Sequence, residues 1–189
     1  MNARGDGMAQ RWRLSEVNAW DQATFTERLG WLFEGSPWIA AATWEARPFA
    51  SRAALHQALV ATVMRAGEER QVELIRAHPD LVGRAALAGT LSRESTAEQR
   101  AAGLDPDALT PEEIARFTEL NAAYKERFGF PFVICARENK KASILAGFER
   151  RLHNTREQEI ATALEEIAKI ARYRLEDAVA DDGERGSEP

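Results

Sequence analysis

Apolar residues return every three to four positions along most of the chain, the spacing that builds one stripe down the face of an α-helix. Phe25, Leu29, Leu32 and Phe33 make the first stripe, with Asp21 as a capping residue and Gly35 as a stop. Ser36-Pro37 predicts the start of a second helix, running from Trp38 to Glu45 and ending before Arg47-Pro48. Ser51 opens a third, with Leu55, Leu59 and Val63 in register and Gly67 near its end. Glu68 to Ala77 reads as a fourth, carrying Val72 and Ile75. It must stop near His78, because Pro79 pushes the preceding residue out of helical angles.

Two capping boxes mark later helix starts. Ser95-Thr96-Ala97-Glu98 predicts a short helix, and Thr110-Pro111-Glu112-Glu113 a longer one ending at Gly129. Phe130 to Cys135 is β-branched and aromatic, the one extended segment in the pattern. A lone strand has nothing to pair with, so a buried extended loop is expected. Two helices follow, about Lys140 to His153 and Arg156 to Val179, the second with Ile160, Leu164, Ile167, Ile170 and Ala171 as its stripe. The pattern predicts an all-α fold of about eight helices in a single domain over residues 12–179. Residues 1–11 and 180–189 are polar and read as flexible tails, and Met8 is a second candidate start.

Composition narrows the chemistry. With 189 residues, 44% hydrophobic and 29% charged, the chain is long enough for a sizeable core. Thirty acidic and twenty-five basic side chains give a net charge of -5, with no basic block to suit nucleic acid. A single cysteine, Cys135, and three histidines without ligand spacing speak against a disulfide or a structural zinc site. The apolar runs are too short to cross a bilayer and no secretory signal is visible, so a soluble intracellular protein is expected. No phosphate-binding glycine loop or nucleophile elbow appears.

Ordinary side chains must therefore carry any reaction. His56 lies mid-helix and His153 in a last turn, and both read as structural. His78 sits where a helix breaks, followed by Pro79-Asp80-Leu81, a place where functional groups are presented and also where a histidine can cap a helix end. Glu98 reads either as the last residue of a capping box or as a proton partner beside an anion bound at the turn of Ser95, Thr96 and Gln99. Arg172 and Arg174, near the end of the final helix, each read as solvated charge when taken alone. Arg172 lies at the border of the stripe, where it could hold a carboxylate with two parallel hydrogen bonds. Cys135 has an apolar setting and reads as an unreactive buried thiol.

Several of these segments resemble one family, the 2-oxo-4-hydroxy-4-carboxy-5-ureidoimidazoline decarboxylases of urate degradation. The resemblance rests on Phe33-Glu34-Gly35-Ser36-Pro37-Trp38, Ala77-His78-Pro79-Asp80-Leu81-Val82-Gly83, and the run Leu91-Ser92, Glu94-Ser95, Glu98-Gln99 and Ala102-Gly103-Leu104. It continues through Asn121, Tyr124, Phe128 to Cys135, Glu166-Ile167 and Ala171-Arg172 with Leu175, in family order across nearly the whole body. It implies an all-helical homodimer without cofactor or metal that forms (S)-allantoin and carbon dioxide. His78 would be the acid/base, with Glu98 and Arg172 as its polar partners. Pro79, the turn Ser95, Thr96, Ala97, Glu98 and Gln99, and the backbone of Phe130, Pro131, Phe132, Val133 and Ile134 would line the substrate site. The chain ends Ser187-Glu188-Pro189, unlike the peroxisomal tripeptide of many eukaryotic members, which favours a bacterial-type cytoplasmic enzyme.

The implied chemistry suits such residues. The substrate's carboxylate sits beside a ring C=N bond, which accepts the electrons released with carbon dioxide, so no cofactor is needed as a sink. A histidine with an ordinary pKa near 6.5 would handle the hydroxyl proton, while Glu98 orients it or shares the proton and Arg172 faces the ureido and ring carbonyl oxygens. Two other readings stay open. One is a different cofactor-free enzyme acting on a small ureide. The other is a non-catalytic helical interaction module, in which Trp12, Trp20, Trp31, Trp38 and Trp44 serve packing.

Overall fold

The computed structural model describes residues 11–183. Among them run ten α-helices: α1 (Leu14–Ala19), α2 (Gln22–Leu29), α3 (Trp38–Thr43), α4 (Arg52–Arg65), α5 (Glu68–Arg76), α6 (Arg84–Leu87), α7 (Arg93–Ala101), α8 (Pro111–Phe128), α9 (Lys141–Arg151) and α10 (Arg156–Ala178). The all-α expectation holds. The count exceeds the predicted number because α1 and α6 are too short to show a helical period.

Capping explains most boundaries. The side chains of Asp21, Ser51 and Thr110 each accept a hydrogen bond from a first-turn amide of α2, α4 and α8. Gly129 ends α8 in the left-handed region, at φ 81°, which costs a glycine nothing. One predicted start is corrected. Ser92, not Ser95, caps α7, since its hydroxyl oxygen accepts from the Ser95 amide. Glu98 therefore lies in the second turn of α7 and has no capping task.

Helix α10 is the axis of the core and packs against α4 and α5. Its buried stripe includes Ile160, Leu164, Ile167 and Ile170, each worth about 1.5–3 kcal/mol when fully removed from water. His56 ties α4 to it, its Nε2 lying 2.8 Å from the Ala168 carbonyl, while His153 is exposed. The five tryptophans are partly buried against the core, as a packing role requires.

The segment from Phe130 to Cys135 is extended, buried and unpaired, as predicted. Phe132 stacks on Phe148 of α9 at 3.8 Å between ring centroids. Gly147 lets α9 approach this segment, since a Cβ there would already touch Phe132 and Ile134.

The expected tail boundary moves at the C-terminal side. Trp12–Arg13 (β1) pairs in parallel with Val179–Ala180 (β2), the one strand pairing among the described residues. Asp181 accepts from the Arg52 amide at 2.6 Å, and Asp182 accepts from the amide and hydroxyl of Ser15. Residues 180–182 are held by these bonds, which a scan for apolar periodicity overlooks. The remaining tail positions, 1–10 and 184–189, and with them both candidate starts, lie outside the described residues.

Candidate active site

Four elements converge beyond the end of α5. Pro79 halts that helix, and the turn His78–Gly83 folds across the opening. The first two turns of α7 supply Ser95 and Glu98, the extended segment supplies Phe132, Val133 and Ile134, and α10 supplies Ile170 and Arg174. They enclose a narrow cavity of about 40 Å³, and Pro79 also lines a wider neighbouring cleft of about 1060 Å³.

His78 is 8% exposed, and its Nδ1 lies 2.9 Å from the Leu74 carbonyl oxygen. A carbonyl only accepts, so Nδ1 carries the proton, and in the neutral ring Nε2 is left as a free base. Burial lowers the pKa from 6.5 to about 4; the Leu74 hydrogen bond opposes this shift and the Arg174 charge reinforces it. At neutral pH the ring is uncharged, further from titration than the sequence suggests.

Arg174 is 2% exposed and spends its entire guanidinium on the site wall. Nε and Nη2 donate to the two carboxylate oxygens of Glu98, both at 2.9 Å. Nη1 donates to Glu34 at 3.1 Å and to the Trp31 carbonyl at 3.4 Å, and Nη2 also reaches Ser95 Oγ at 3.4 Å. Burial works against the Arg174 charge, but Glu98 and Glu34 outweigh it and hold the group more firmly protonated.

Arg172 does not reach the cavity. Its side chain is 43% exposed and pairs with Glu138 at 2.9 Å and Glu176 at 3.7 Å. Helical phase is the reason. At about 100° per residue, Arg172 is about 200° round from Ile170, whereas Arg174, one turn after Ile170, returns to the buried stripe. Arg174 thus occupies the place beside Glu98 that the resemblance gave to Arg172. The same phase argument separates Thr96 and Ala97, which point elsewhere, from Ser95 and Glu98. Phe130 and Pro131 are buried behind the cavity wall rather than in it.

Gln99 lines the cavity but its amide is committed to the turn. Its Oε1 accepts from the Val82 amide at 3.0 Å, and its Nε2 donates to the Asp80 carbonyl at 3.4 Å. Asn121 donates to the Leu81 carbonyl at 2.8 Å from the other side. These bonds hold Val82 at φ 51°, a strained backbone for a β-branched residue. Cys135 is buried, its thiol pushed up by desolvation, in keeping with an inert role. No cluster of side chains able to hold a metal occurs among the described residues.

A buried neutral histidine thus shares one cavity with an arginine–carboxylate pair, and comparison with known proteins says to which family the chain belongs. The model of the OHCU decarboxylase family matches residues 18–176. The chain belongs to the OHCU decarboxylase family. The family's 2-oxo-4-hydroxy-4-carboxy-5-ureidoimidazoline decarboxylase from Amia calva is 42% identical over 166 residues, 88% of this chain and 94% of that one. The enzyme of the same name from Halalkalicoccus jeotgali is 38% identical over 167 residues, 88% of this chain and 92% of its own. Among solved structures, an (S)-allantoin synthase superposes with a TM-score of 0.70 at 28% identity, covering 89% of this chain and 54% of that longer one. The family's urate-degrading decarboxylase chemistry is thus the frame for the site.

Proposed function

We propose that the protein decarboxylates 2-oxo-4-hydroxy-4-carboxy-5-ureidoimidazoline to (S)-allantoin, with His78 as the acid/base and the Glu98–Arg174 pair as its polar partner. The observation that carries this reading is the free Nε2 of a neutral, buried His78 in the cavity that Glu98 and Arg174 wall.

The steps follow from the substrate. As the bond to the carboxylate breaks, its electron pair forms a ring C=C bond and the former C=N pair moves to nitrogen, which takes a proton from water. His78 Nε2 then accepts the hydroxyl proton as the ring carbonyl forms, and returns it to the adjacent ring carbon. Overall, one solvent proton replaces carbon dioxide. Acid–base help of this kind is worth about 10²–10⁴-fold in rate.

Arg174, with its N–H groups engaged by Glu98, Glu34, Trp31 and Ser95, acts through its charge and by fixing Glu98 rather than by gripping the departing carboxylate, since tight ground-state binding does not raise kcat. Glu98 is fixed by both arms of Arg174 and so presents a set geometry to the histidine. A ureidoimidazoline is larger than the cavity, so binding widens it, and the cleft that shares Pro79 provides the adjoining space.

The reading extends to a cofactor-free homodimer in the cytoplasm. The family resemblance supports the cofactor-free homodimer. No helix among the described residues is long and apolar enough to cross a membrane. Light scattering and cell fractionation test these two points. The activity itself is tested with urate freshly oxidised and hydrolysed to the ureidoimidazoline. Added protein should speed its ultraviolet decay and give one enantiomer of allantoin, where spontaneous decay gives the racemate. Unchanged decay with racemic product would refute the assignment.

A further inference from the structure

One wall of the cavity is formed by Phe132, Val133 and Ile134, and something must hold it still. Val133 and Ile134 belong to an extended segment with no strand beside it among the described residues. Such a segment lacks the ladder of hydrogen bonds that would fix its register. The structure supplies a substitute from beneath.

Arg151, at the end of α9, is 4% exposed and donates from Nη1 to the Val133 carbonyl at 2.7 Å. Its guanidinium also lies over the Phe132 ring, 4.3 Å from the centroid. The same group donates from Nε to Glu159 at 2.9 Å, and Glu159 is completely buried. Glu159 is held in turn by the Tyr124 hydroxyl and by Asn154 Nδ2, the latter at 2.7 Å. Glu159 of α10, Tyr124 of α8 and Asn154 of the turn before α10 thus hold Arg151 of α9, which alone reaches the Val133 carbonyl.

A buried ion pair is a poor device for stability alone, because desolvating two charges cancels most of their attraction and apolar packing would do as well. What it gives that apolar packing cannot is a donor aimed at a carbonyl in a fixed direction. We infer that Arg151, locked by Glu159, Tyr124 and Asn154, is a positioning residue for the reaction: it sets the Phe132–Ile134 backbone against which the substrate ring lies. This rests on the decarboxylase reading. The ring's orientation decides which face receives the proton, so the network should govern stereochemical fidelity as well as rate.

The test compares Arg151→Lys with Ile144→Val, which trims a buried apolar residue of the same helix. Lysine keeps the positive charge against Glu159 but cannot serve that carboxylate and the Val133 carbonyl with a planar fork. With variant enzyme added in amounts that outrun spontaneous decay, R151K should raise KM, lower kcat/KM by about 10²-fold and reduce the enantiomeric excess. I144V should leave KM and enantiomeric excess unchanged at a similar melting temperature. Amide exchange at Val133 and Ile134 should quicken in R151K only.

If R151K does not fold, Tyr124→Phe decides, since it removes only a hydroxyl from Glu159. A raised KM with normal melting supports the inference and an unchanged KM overturns it. A folded R151K with wild-type KM, enantiomeric excess and amide exchange overturns it too. Should wild type show no turnover, the decarboxylase reading fails separately, and amide exchange alone still decides whether Arg151 holds the segment.

Discussion

Arg174 holds Glu98 by both oxygens at 2.9 Å, across 76 positions of sequence, with neither side chain open to solvent by more than a tenth. This pair joins the last helix to the seventh and closes the cavity around His78. Each partner is the other's compensation for burial. Removing either leaves a charge stranded in a low-dielectric wall.

Arg174→Gln should therefore act on both stability and turnover. Breaking a buried pair by losing one member costs about 3–5 kcal/mol, so its chemical denaturation midpoint should fall clearly. Turnover per folded molecule should drop by about 10²-fold or more, the range for losing an oriented charged donor. Arg172→Ala, altering an exposed pair, should leave both near wild type. Side-by-side melts and rates check the assignment, and an inactive R172A with an active R174Q would reverse it.

Glu98→Gln separates the acid from the helix. Because Ser92 caps α7, glutamine at 98 should leave the far-ultraviolet circular dichroism unchanged. The rate should fall as the carboxylate partner of Arg174 is lost. Normal turnover in this variant would remove Glu98 from the reaction.

His78 gives a pH prediction with a definite sign. Its folded pKa, about 4, lies below the unfolded 6.5, so between these values the unfolded chain binds the extra proton. The stability tied to this group is fully present above about pH 6.5 and is lost as pH falls toward about 4. His78→Asn should flatten that part of the urea-midpoint profile and abolish turnover while folding normally. In wild type, the acid limb of kcat/KM should fall well below pH 6.5 if the free enzyme's base is His78.

The turn that presents His78 leaves no space at Gly83. A Cβ there would stand 2.5 Å from the Asp80 Cβ, inside any real contact. Gly83→Ala should force the turn apart, lowering activity more than its modest size suggests. Assays and melting on the purified variant would settle this, and a fully active G83A would mean that the turn's exact path is dispensable.

Local signals were legible and long-range ones were not. Thr110 and Gly129 carry the chemistry of a helix start and stop in their own side chains and backbone, so α8 could be read directly. At α7 two serines three apart compete for one cap, and only packing favours Ser92. His78 was visible because Pro79 must break a helix. The choice between Arg172 and Arg174 was available in principle from helical phase, since one turn separates Ile170 from Arg174. The Arg151–Glu159 pair carried no such signal: buried charges interrupt an apolar stripe and look, in sequence, like surface.

The pairing of Trp12 with Val179 has a consequence for the catalytic wall. The strand β2 begins where α10 ends, a few residues beyond Arg174, so β1 splints the helix that carries the arginine. Fraying at one end then becomes fraying at the other. Strand β1, though it lines no part of the cavity, is thermodynamically coupled to the fork that grips Glu98.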